Sequence, residues 1–149
     1  KEFKVREISK KTKIPKSTVQ RYISNLRKNK IIDKKNKLIL NRYTRYLKAF
    51  AIIKRVYDIG LIDYLENKLV PSVVIIFGSA RKGDYDKDSD VDIFVETTNK
   101  TELDFLKFET KLKHKIQLFI EPDINRLPKE LFNNVINGIK VVGYIKIKW

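Results

Sequence analysis

A chain of 149 residues with 42% hydrophobic content and 33 Lys and Arg against 18 Asp and Glu, for a net charge of +15, has room for one ordinary soluble domain or two small ones. The absence of Cys excludes disulfides and thiolate metal sites, the single His114 excludes a histidine-based zinc cluster, and no apolar run reaches the roughly 18 residues of a membrane span. With no signal-peptide pattern either, a cytoplasmic protein with no membrane partner is expected.

The charge is lopsided. Residues 1–57 hold 19 Lys and Arg against 3 Asp and Glu, whereas residues 58–149 hold 14 against 15. Such asymmetry predicts a basic module joined to a roughly neutral one. The chain opens on Lys1 and contains no Met, as expected of a piece whose true start lies upstream.

Residues 1–41 read as a helical DNA-binding module. Val5 to Thr12 predicts a short helix with Val5, Ile8 and Thr12 on one side, broken at Ile14-Pro15. Lys16, Ser17 and Thr18 are expected to cap a second helix that runs to Lys28, with Val19, Tyr22, Ile23 and Leu26 inward. Its other face offers Ser17, Thr18, Gln20, Arg21, Ser24, Asn25 and Lys28, side chains suited to bases and phosphates. Ile31-Ile32 and Leu38 to Leu40 then flank Asp33 to Lys37, as a two-stranded wing with Lys34, Lys35 and Lys37 at its tip. This arrangement resembles winged-helix transcription regulators, whose second helix enters the major groove while the wing tracks the backbone. The usual first helix of that core is missing or lies before Lys1. A basic hairpin serving protein contacts is the alternative, and the net charge favours nucleic acid.

Residues 42–70 predict a helical connector. Tyr46, Phe50, Ile53 and Tyr57 mark one face of a helix ended by Gly60, a stripe expected to be core or a dimer contact. A shorter helix, Leu61 to Leu69, buries Ile62, Leu65 and Leu69 ahead of Pro71. The 79 residues that remain would bury only a modest core, so they should recruit this connector or a second subunit, as in a homodimer.

Residues 71–149 carry the chemistry. Val73 to Phe77 is the continuous apolar run of a buried strand, and it stops at Gly78-Ser79, where a glycine lets backbone approach a phosphate. Ten residues later, Asp90 and Asp92 bracket Val91 ahead of Ile93-Phe94-Val95, so strand alternation turns both carboxylates to one face. Two carboxylates with no nearby cation repel one another unless a divalent ion lies between them, and Mg²⁺, a hard cation that reaches proteins through carboxylates plus substrate phosphates, fits best. The pattern therefore predicts a site for a metal-bound nucleoside triphosphate. A solvated acidic loop, with Asp84, Asp86 and Asp88, would not explain two Asp inside an apolar strand.

Gly78-Ser79, ten residues, then Asp90-Val91-Asp92, with Lys82-Gly83 in the loop and Asp88-Ser89 ahead of the first acid, resembles the signature of the DNA polymerase β superfamily, especially its minimal nucleotidyltransferases. The resemblance implies that Gly78 and Ser79 hold the triphosphate and that Asp90 and Asp92 are catalytic metal ligands. Lys82 and Arg81 are either phosphate contacts or solvated cations.

Thr101 to Asp104 reads as a capping box opening a helix to about Lys113, with Phe105, Phe108 and Leu112 inward and His114 on the surface at its end. Ile116 to Ile120 is a third strand, Pro128 and Gly138 frame a last helix burying Leu131, Phe132, Val135 and Ile136, and Ile139 to Ile147 forms a final strand. The whole is expected to be an α+β protein: a winged helix-turn-helix, a helical connector, and a mixed-sheet nucleotidyltransferase domain with flanking helices.

Catalytic members of the superfamily add a third carboxylate from the third strand, for a second metal ion. Here Gln117 takes that position, and an amide brings no charge and cannot act as a base. Glu121 shares its parity but lies four residues, roughly 13 Å, further on, and would need a bend at Pro122. The expected activity is Mg²⁺-dependent transfer of a nucleotide from an NTP, with ATP favoured, to an acceptor hydroxyl, with DNA as a partner. Two other readings stand beside it: a DNA-binding regulator whose transferase fold is a nucleotide sensor or dimerisation scaffold, and an antitoxin-like enzyme that adenylylates a protein acceptor.

Overall fold

The computed structural model describes residues 4–148, which divide into two units, one up to Arg45 and one from Tyr46. Among the described residues there are seven α-helices, one 3-10 turn and four strands, and no helix is long and apolar enough to cross a membrane.

The first unit is built on α1 (Val5–Thr12) and α2 (Lys16–Lys28). Lys13 adopts a left-handed conformation after α1, and the Ser9 hydroxyl donates to the Ile14 carbonyl at 2.7 Å, closing the turn between them. Pro15 sits at the N-cap of α2, where its carbonyl accepts the Val19 N–H; the expected capping by Lys16, Ser17 and Thr18 is absent. Val19, Ile23 and Ile32 form the small core, with Val5, Ile8, Ile14 and Ile31 packed against it. Tyr22 and Leu26 are exposed rather than inward, since three buried residues leave too little core for α2 to bury four. Thr12 is likewise exposed, its hydroxyl turned back on the Ile8 carbonyl. The expected wing reduces to a single bridge, Ile32 to Leu38. Its turn is fixed locally, because Asp33 Oδ1 accepts from the backbone N–H of both Lys35 and Lys37 at 2.8 Å.

The second unit contains most of α3 (Arg42–Asp58), then α4 (Leu61–Leu69), β1 (Val73–Phe77), α5 (Gly78–Lys82), β2 (Val91–Glu96), α6 (Leu106–Leu112), β3 (Ile116–Glu121), a 3-10 turn (Ile124–Arg126), α7 (Lys129–Ile136) and β4 (Ile139–Gly143). The sheet order is β3-β2-β1-β4, with β1 antiparallel to both neighbours and β2 parallel to β3. Strand β1 is central and buried on both faces, which is why it reads as an unbroken apolar run. One face carries Val74, Ile76, Val91, Ile93 and Val95 against α3, α4 and α6. The other carries Val73, Ile75, Phe77 and Phe94 against the 3-10 turn and α7.

The connector helices thus belong to the sheet's core. Ile52 and Val56 of α3 and Leu61, Ile62, Leu65 and Leu69 of α4 are buried there. The aromatic stripe of α3 is not: Tyr46 is 63% and Phe50 58% exposed, and Ala49, Ile52 and Val56 take the inward face. Helix α6 begins at Leu106, later than the capping-box reading, because the Thr101 hydroxyl bonds Asn99 Oδ1 at 2.6 Å, and Asp104 Oδ1 accepts from Leu106 N. Strand β4 ends at Gly143, short of Ile147. On α7, Val135 is buried and Leu131, Phe132 and Ile136 are half-buried.

Candidate functional site

The end of β1 and the start of β2 meet because the two strands are antiparallel, with Phe77 paired to Asp92. Gly78 follows with a φ of +64°, a conformation that favours glycine. A Cβ added there would overlap Oδ2 of Asp92, so glycine is required twice, by backbone and by space. Ser79 is half-buried, while Arg81 and Lys82 on α5 are exposed and make no ion pair among the described residues.

Asp90 precedes β2 and Asp92 lies within it; both are half-buried. Asp92 shares its strand parity with Phe94, opposite Val91 and Ile93. Burial, and then the charge of Asp90, push the Asp92 carboxyl above the usual carboxylate range. Neither acid forms an ion pair among the described residues, so their mutual repulsion goes unrelieved by the protein. These two carboxylates are the residues that could hold a divalent cation. Among the described residues no group of three or more His, Cys, Asp or Glu is placed to do so.

The third position follows from the β2–β3 register, which sets Gln117 directly beside Asp92 with its side chain exposed. Glu121 pairs instead with Glu96, four residues away, and β3 runs to it without a bend. Glu96 is itself committed, accepting from the Ser72 hydroxyl at 2.6 Å and the Ile124 N–H at 2.7 Å. The neighbour of Asp92 on β3 is therefore an amide and not an acid.

Sequence reasoning missed how the loop between α5 and β2 is held. Tyr85 packs against the helical face of the sheet; its hydroxyl donates to the Lys48 carbonyl at 3.1 Å, and the Lys48 ammonium donates to the Tyr85 carbonyl and lies 4.4 Å from its ring centroid. Burial pushes the Tyr85 phenol up, so it stays a neutral donor. The Tyr85 and His114 rings meet edge to face, 5.5 Å between centroids. His114 is accordingly half-buried, not a free surface residue, and its Nδ1 lies 2.8 Å from the Ser89 carbonyl. Within the loop, the Asp86 carboxyl is held low by the Asp88 backbone N–H and then by the Ser89 hydroxyl. A cleft of about 550 Å³ opens beside it, lined by Asp88, Ser89, Asp90, Glu109, Lys113 and His114 among others. The only sequence signal for this network was an aromatic inside an otherwise polar loop.

In the first unit, Lys16, Ser17, Gln20, Arg21 and Lys28 of α2 are exposed, as are Lys34, Lys35 and Lys37, while Thr18 is half-buried. Arg27, absent from the sequence reading of that face, ties α2 to the turn: its Nη2 donates to Asn36 Oδ1 at 2.6 Å and its Nε to the same oxygen at 3.1 Å.

Residues 60–144 match a family model described as polymerase beta, nucleotidyltransferase. The match takes in all four strands, Gly78-Ser79, both acids and Gln117. No curated protein and no solved structure matches the chain.

Proposed function

Because the chain belongs to the polymerase beta nucleotidyltransferase family, we propose that it transfers the AMP of ATP to an acceptor hydroxyl in an Mg²⁺-dependent reaction, and that its basic first unit binds DNA. The observation that carries the transferase reading is the packing of Gly78 on Asp92, which leaves two unpaired carboxylates beside a turn with no side chain to block a phosphate.

The donor set fits a hard divalent ion: two carboxylates, one of them pushed up by burial and then by the charge of the other. When bound, such an ion supplies positive charge that offsets the charge of the triphosphate. The chain's own residues would do the rest. Gly78 keeps the turn open, Ser79 offers its hydroxyl and amide to the phosphates, and Lys82 and Arg81 are free to add charge. The acceptor hydroxyl oxygen bonds to the α-phosphorus as the bond from that phosphorus to the bridging oxygen of the β-phosphate breaks; pyrophosphate leaves and the hydroxyl proton passes to solvent. Asp90 and Asp92 hold that geometry. Gln117 cannot take the acceptor proton, so no side chain on β3 beside Asp92 serves as base.

The test is calorimetric titration of ATP, with and without Mg²⁺, on the parent and on the Asp90→Asn, Asp92→Asn pair. Binding that requires both Mg²⁺ and the two acids is expected, and equal affinity in the double variant would remove the site.

One observation favours a second reading, a DNA-binding regulator whose transferase fold only senses nucleotide: the amide of Gln117 in register with Asp92. Gln117→Asp separates the two. A sensor would gain transfer activity that its parent lacks, whereas an enzyme already competent would show transfer in the parent as well.

A further inference from the structure

Asp90 is held on both sides by two consecutive residues immediately before β3. The peptide plane before it ends in the Ser89 carbonyl, which lies 2.8 Å from His114 Nδ1. The plane after it begins with the Val91 N–H, which donates to the Lys115 carbonyl at 2.8 Å. Both torsions of Asp90 lie between those two planes, so fixing the planes sets the direction of its Cα–Cβ bond, from which the carboxylate hangs. A carbonyl only accepts, hence His114 bears its proton on Nδ1. Its ring is held in turn by the edge contact with Tyr85, which α3 grips through Lys48 at both carbonyls and at the ring. The Lys115 bond belongs to the strand ladder, but a side chain reaching 25 residues across sequence to one carbonyl is not required by any strand.

We propose that His114, the single histidine of the chain, is a positioning residue for Asp90, acting through the Ser89 carbonyl with Tyr85 and Lys48 as its support. The proposal rests on the assignment of Asp90 to the nucleotide site. It places a link between α3 and the site that the signature residues do not contain: α3 holds Tyr85, Tyr85 holds His114, and His114 holds the plane on which Asp90 turns.

Two conservative variants separate a positioning role from a packing role. An Asn amide nitrogen can occupy the place of Nδ1 and donate to Ser89, whereas Gln carries its amide one carbon further. The parent chain, His114→Asn and His114→Gln are compared by Mg²⁺-dependent ATP titration and by the amide resonance of Asp90, whose nitrogen shares a peptide plane with the Ser89 carbonyl.

His114→Gln should shift that resonance and weaken Mg²⁺-dependent binding roughly tenfold, in the range typical of losing an outer-shell partner of a metal ligand, while His114→Asn restores both to near the parent. Equal behaviour of the two variants, or an unmoved Asp90 resonance in His114→Gln, would overturn the positioning role. A shifted resonance in His114→Gln with no Mg²⁺-dependent ATP binding by the parent supports the positioning of Asp90 and sinks the nucleotide reading instead. Should His114→Gln fail to fold, Tyr85→Phe, which keeps the ring but loses the bond to Lys48, should move the same resonance by a smaller amount. No movement there overturns the proposal.

Discussion

Asp92 is a residue whose charge works against the fold. Burial, and then the neighbouring Asp90, raise its carboxyl above the usual range, so the folded state holds that proton more tightly than the unfolded chain does. As pH rises from the ordinary carboxylate range through that raised value, the unfolded chain gives up the proton more readily and stability is withdrawn; above the raised value the penalty is fully present. Asp92→Asn is therefore expected to raise the melting temperature of the metal-free protein at pH 7, by an amount that shrinks as pH falls through the raised value. Thermal melts of parent and variant at two pH values check it, and an Asn variant that melts lower at pH 7 contradicts it. Gly78 shows the same economy from the other side, a residue with no side chain at the one place where a side chain would meet that carboxylate.

Among the elements, α4 ties the helical connector into the sheet's core through Leu61, Leu65 and Leu69, which have no exposure. Leu65→Ala should destabilise the protein by about 2–5 kcal/mol, measured by denaturant unfolding of the second unit. Strand β1 and helix α4 were readable because their apolar residues leave one interpretation: five buried positions in a row, and a leucine spacing with Gly60 before it and Pro71 after. Helix α3 was not, because Tyr46, Phe50 and Tyr57 repeat at helical spacing just as Ala49, Ile52 and Val56 do, and only the shape of the sheet beneath decides which face is covered. The turn glycine and the place of Asp92 were legible from local spacing, and so was Gln117, whose place depends only on strand register, whereas Asp90 lies just ahead of β2 and not inside the strand as expected. The Lys48, Tyr85 and His114 chain was not, since it joins residues 37 and 29 apart through a carbonyl and a ring edge that leave no periodic mark.

For the whole molecule, the imbalance of charge governs the proposed DNA contact. Six cations stand among the candidate contacts, Lys16, Arg21, Lys28, Lys34, Lys35 and Lys37, all exposed. If all six meet phosphates, affinity for a DNA duplex should fall roughly a thousandfold between about 50 and about 200 mM salt, as neutralised phosphates release counterions. Fluorescence anisotropy across that range reads the slope, and a flat line removes the electrostatic reading. The pairing of β1 with β4 has a separate consequence, for synthesis. Strand β1 is central, yet one of its partners lies at Ile139–Gly143, so a ribosome makes both the glycine turn and the paired acids well before the sheet can close. A product cut short ahead of Ile139 would keep every signature residue and present Val73 to Phe77 as an open apolar edge, the kind of strand that recruits other chains into aggregates.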